Sequence, residues 1–143
     1  MRYIIATLIL LITPTVGASF FEKNIVGTEI AQDRIEQIKI ENFTFQNTIT
    51  ATKYAQTKFF IARTKAEILD RYEDGRVNDY ELADIANNLE YVTHSMNEYF
   101  KNMKAFERSK NRTYRTLALQ NLRDANSRHG DLRAVTQKST RQE

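Results

Sequence analysis

An all-α fold, arranged as a long antiparallel helical hairpin or small helical bundle, is what this sequence predicts, on three observations. Its 143 residues include one Pro, four Gly and no Cys or Trp. That composition favours long uninterrupted elements over a loop-rich, disulfide-stapled scaffold. Leu82, Leu89, Met96 and Met103 recur at every seventh position, with Ile85, Val92, Tyr99 and Phe106 as a second seam. Such spacing lays one apolar stripe along a helix. A matching pair of seams, Thr52/Phe59/Ala66 and Ala55/Ala62/Leu69, comes before it and predicts the facing helix.

The chain opens on a leader pattern. Met1-Arg2-Tyr3 is a short positive start, residues 4–12 are apolar apart from Thr7, and Pro14 breaks the run. Val16 and Ala18 are small residues at the positions a signal peptidase reads, so residues 1–18 predict a signal peptide cleaved before Ser19. The run is shorter than the about 20 apolar residues of a membrane span. An exported protein, periplasmic or secreted, is expected. Left uncleaved, a run extended through Phe20 and Phe21 predicts an inner-membrane signal anchor instead.

One helical domain is then expected over 19–126. With no Gly or Pro to interrupt it, the stretch from about Thr28 to Asp70 predicts one helix of about 60 Å. Alternation in Ile38-Lys39-Ile40 and Phe43-Thr44-Phe45 allows a short strand pair there as an alternative. The main amphipathic helix runs from about Asp79 to Arg108. After a break near Ser109-Lys110-Asn111, helical spacing resumes through Tyr114, Leu117, Ala118, Leu122 and Ala125. Residues 127–143 are polar and unpatterned, which predicts a disordered basic tail.

The connector at 70–81 carries the most chemistry. It reads Asp70-Arg71-Tyr72-Glu73-Asp74-Gly75-Arg76-Val77-Asn78-Asp79-Tyr80-Glu81. Oxygen-bearing side chains fall at positions 1, 5, 9 and 12 of this twelve-residue window, and Gly75 stands at position 6. The window resembles the calcium loop of the EF-hand family. Calcium takes six to eight oxygens, so the resemblance implies one weak Ca²⁺ site. Its ligands would be Asp70, Asp74, the Arg76 carbonyl, Asn78 and Glu81. The loop departs from the family at position 3, where Tyr72 replaces an oxygen donor. A second reading of the same letters needs no metal. Asp74-Gly75 is a turn pair, and Asn78 followed by Glu81 is a capping box that starts a helix.

Charge is unevenly spread. Residues 19–100 carry nine Lys and Arg against fourteen Asp and Glu, whereas residues 101–143 carry eleven against four. An acidic hairpin end attracts cations, and the basic C-terminus suits an anionic surface such as lipid, a cell-wall polymer or an acidic partner. No nucleic acid is expected as a partner of an exported chain. The Leu82/Leu89/Met96/Met103 seam is long for two helices to cover, which predicts self-association or capture of a partner helix. With no Cys, two His (His94 and His129) and no phosphate loop, metalloprotease helix motif or nucleophile elbow, no enzyme is expected. The functional expectation is an exported calcium-binding helical module. The alternative is a periplasmic or membrane-anchored coiled-coil subunit of a secretion, conjugation or phage-lysis apparatus, with no metal.

Overall fold

The central element is α3 (Asp79–Ser109), whose two heptad seams draw the rest of the chain around it. The computed structural model describes residues 31–141, with side chains to Gly130; the signal peptide expected at 1–18 lies outside them. All regular structure among the described residues is helical: α1 (31–37), α2 (Thr48–Glu73), α3 and α4 (Arg112–Arg141). None of these helices is long and apolar enough to cross a membrane.

Leu82, Ile85, Leu89, Val92, Met96, Tyr99 and Phe100 of α3 are all buried within the single chain. Much of the seam expected to recruit a second molecule is therefore packed against the chain's own helices. Ala31, Ile35, Ile38 and Ile40 join its core, together with Ile61 and Ile68 of α2 and Ala118 and Ala125 of α4. Ala118 and Ala125 stand seven residues apart, and such small side chains let α4 lie close against α3.

Two expectations upstream are corrected. The helix proposed from Thr28 to Asp70 is broken between residues 37 and 48 by a non-helical strap. Its period-two pattern decides this: Ile38 and Ile40 are buried and Phe43 and Phe45 half-buried, while Lys39, Glu41, Asn42 and Thr44 face out. A helix would scatter those four apolar residues around its circumference. No strand pair forms in the described residues either, so the strap's backbone needs other hydrogen-bond partners. Side chains supply them. The Glu41 N–H donates to Asn97 Oδ1 at 2.8 Å, and Asn97 Nδ2 donates to the Lys39 carbonyl at 3.2 Å. The Phe43 N–H donates to Tyr54 Oη at 2.9 Å, and the Tyr54 hydroxyl donates to the Glu41 carbonyl at 2.7 Å. Lys104 donates to the Thr44 carbonyl, and Glu107 accepts from the N–H groups of Gln46 and Asn47.

These contacts predict an acid-sensitive strap. Backbone N–H donors, that of Gln46 foremost, hold the Glu107 carboxyl below its usual range, and the Arg34 guanidinium does the same for Glu90. Carboxyls whose folded-state pKa is depressed stabilise the fold above the ordinary value near 4.5, and that contribution is lost as pH falls through the folded values. Hydrogen exchange at the Gln46 and Asn47 amides should accelerate below pH 4.5, after correction for intrinsic rate, ahead of the α3 core amides. Simultaneous loss of protection would show that the strap is not a separate acid-labile unit.

In α2 the seams predicted to face α3 point away from it except at Leu69, which is half-buried against the core. Thr52, Ala55, Phe59, Ala62 and Ala66 are exposed, and the buried residues are Thr50, Ile61 and Ile68. Turning the helix this way buries two isoleucines in place of alanines, and buried apolar area sets the preference. Asn47 caps α2, its side chain accepting from the Thr50 N–H at 3.0 Å.

The expected break after α3 is present. Lys110 adopts a left-handed conformation (φ 57°), and the Asn111 side chain accepts from the Thr113 N–H at the start of α4. The tail expected at 127–143 overlaps the last helix. Helix α4 continues to Arg141 through the segment whose composition predicts disorder. It runs antiparallel to α3, with the Arg128 guanidinium 4.8 Å from the Tyr91 ring centroid and donating to Asn88. Tertiary pairing of this kind stabilises helices that composition alone does not.

Candidate functional site

The calcium-loop resemblance spans the end of α2, a short connector and the start of α3. Asp70 lies within α2, on an exposed turn. Helix α2 runs on to Glu73 and ends in a Schellman arrangement: the Arg76 N–H donates to the Arg71 carbonyl at 2.8 Å, and the Gly75 N–H to the Tyr72 carbonyl at 3.1 Å. Gly75 takes the left-handed conformation this cap requires, at φ 75°. Val77 follows and is buried, closing the apolar end of the hairpin.

Asn78 and Glu81 form a reciprocal capping box on α3. The Glu81 N–H donates to Asn78 Oδ1 at 2.9 Å, and the Asn78 N–H to Glu81 Oε1 at 3.4 Å. Asp74 is ion-paired with Arg76 at 3.0 Å. Tyr72, at the position that departs from the family, donates its hydroxyl to Asp79 at 3.1 Å and so ties one helix end to the other. Burial, with Asp79 beside it, pushes the Tyr72 phenol pKa up. Among the described residues no group of three or more His, Cys, Asp or Glu side chains is placed to hold a metal ion, so Asp70, Asp74 and Glu81 are not brought into one.

The capped hairpin has a direct test. Asn78→Ala should cost about 1 kcal/mol of folding stability, since it removes an N-cap acceptor. Urea unfolding in buffer containing a chelator should show the loss, because the cap needs no metal. An unchanged midpoint would mean the capping box does not hold the hairpin.

A second feature was not visible in the sequence. Helices α2 and α4 flank α3 and leave between them an open groove of about 310 Å³. Its floor is Ile61, Val92, Met96, Leu122 and Ala125; Lys53, Gln56, Asn126 and His129 stand along its rims. Phe60 is 38% exposed at the lip, its ring centroid 5.2 Å from that of His129. His129, assigned to a flexible tail by composition, thus sits on an ordered helix across from α2. His94 is exposed on α3, as its place on the polar flank predicts. The signal that could have found the groove is Phe60 itself, an apolar residue off both α2 seams. No protein-family model, curated protein or solved structure matches the chain.

Proposed function

We propose that this chain is an exported helical interaction module that receives an amphipathic helix of a partner in the α2–α4 groove. The groove carries the reading: it lies between two helices that already pack on α3, where one further helix would extend the bundle. Its floor is apolar and its lip is an exposed aromatic ring, the features of helix-in-groove recognition. Met96 on the floor adapts to an incoming side chain. Lys53 stands on the rim, and no lining residue is a carboxylate. The occupant is accordingly a helix with an apolar row flanked by acidic residues. Export rests on the leader pattern of residues 1–18.

A helix-forming peptide with Leu at i, i+3, i+4 and i+7 and Glu flanks is the probe. NMR titration should move the Phe60, Met96 and His129 signals, and Phe60→Ala should weaken binding by about tenfold, as for an interface anchor. A Lys-flanked version should bind more weakly. Equal binding of both peptides, or no shifts with either, would overturn the proposal.

The calcium expectation makes a different demand. For Asp70 to join Asp74, Asn78 and Glu81 around one ion, the last turn of α2 must unwind and the capping box must open. Calcium binding would therefore be accompanied by loss of helix. Circular dichroism during a titration to millimolar calcium reads this, and the interaction-module reading expects a constant signal.

A further inference from the structure

We infer that the end of the bundle where α3 turns into α4 docks on an anionic lipid surface. Between Lys101 and Arg115 the chain places six cations and one carboxylate. That carboxylate, Glu107, already accepts from the strap amides and pairs with Lys104 at 3.8 Å. Lys101, Arg108, Lys110, Arg112 and Arg115 are all exposed, and among the described residues none has a carboxylate within ion-pair distance. Lys101 and Arg108 border one recess with Asn42, Phe43 and Thr44 of the strap.

Charge alone would fit any polyanion. What selects lipid is the apolar surface mixed into the same end. Ile49 is 80% exposed, Leu117 47%, Leu119 39% and Tyr114 37%. Ile49 belongs here because the Asn47 N–H, two residues earlier, bonds Glu107 near the end of α3. A soluble polyanion gains nothing from these side chains, whereas a bilayer interface takes apolar and aromatic groups inward while lysine and arginine reach the headgroups. The connector between α2 and α3 is acidic on balance, with Asp70, Glu73, Asp74, Asp79, Glu81 and Asp84 against Arg71 and Arg76. That asymmetry turns the hairpin loop away from the membrane. Different residues build this surface and the groove, so the inference stands independently of the proposed function.

Vesicle co-sedimentation of the full chain tests it, comparing vesicles of phosphatidylglycerol and phosphatidylcholine with phosphatidylcholine alone. Residues 1–18 are present in every variant, so each substituted chain is compared with the unsubstituted one on the same vesicles. Each juxtamembrane cation contributes about fivefold in affinity, so Arg112→Gln with Arg115→Gln should weaken binding to the anionic vesicles roughly 30-fold. Lys101→Gln with Arg108→Gln, on the other helix, should do the same; circular dichroism checks that both pairs remain folded. Ile49→Ser with Leu117→Ser should weaken vesicle binding while leaving binding to soluble polyphosphate unchanged. Equal binding to both vesicle types, unchanged binding by both charge variants, or lipid binding that survives the serine pair would each overturn the inference. The last outcome would mark the surface as a site for soluble polyanions.

Discussion

Replacing Phe100 with Ala should lower the unfolding free energy by about 3–5 kcal/mol, the range for deleting a buried aromatic side chain. Domains have about 5–15 kcal/mol in total, so the variant should be near its folding threshold. Phe100 is fully buried where three parts of the chain meet. Its ring centroid lies 5.8 Å from Phe45 of the strap, 5.1 Å from Tyr54 of α2 and 5.0 Å from Tyr99 of α3, the last two edge-on. Tilted and edge-to-face arrangements at these spacings add to area burial. Removing the ring thus opens a cavity and loosens the strap and α2 together. Urea denaturation measures the loss. A change below about 1 kcal/mol would mean that the aromatic cluster does not form.

Ile35→Ala should cost about 2–5 kcal/mol if α1 packs on α3, because Ile35 is fully buried in the shared core. Beside it, Arg34 makes a bidentate contact with Glu90, at 2.7 and 2.6 Å, and also reaches Asn87. The Glu90 pair raises the guanidinium pKa, but both side chains remain more than a third exposed, so it orients α1 more than it stabilises the fold. The apolar contact is the larger effect. Ile35→Asp goes further: a carboxylate cannot stay in that core, and expelling α1 uncovers part of the heptad seam on α3. Light scattering should then show more self-association than in the unsubstituted chain. A monomeric Ile35→Asp protein with wild-type stability would show that α1 does not cover the seam.

Helix α3 was fully legible, since two heptad seams, the capping residues Asn78 and Glu81 and a polar break at 109–111 all act within one segment. The connector at 70–81 was legible as a turn but ambiguous in chemistry. An EF-hand loop and a Schellman cap followed by a capping box both want oxygen side chains around a glycine. Only the backbone hydrogen bonds of Gly75 and Arg76, with those of Asn78 and Glu81, show which set of partners the segment uses in this fold.

Elsewhere the decision lay in contacts between distant residues. Alternation at 38–45 announces that every second side chain is buried, but the strap's hydrogen-bond partners are some sixty residues away, on α3 and in no local motif. The face α2 turns inward depends on what it must cover, and two isoleucines outweigh a regular row of alanines once α3 and the strap are in place. The helix beyond residue 127 has a composition suited to disorder. It continues α4, and Arg128 at its start packs on Tyr91 and bonds Asn88 of α3, contacts that no local pattern announces. The groove follows from all three, because a space between helices has no residues of its own to announce it.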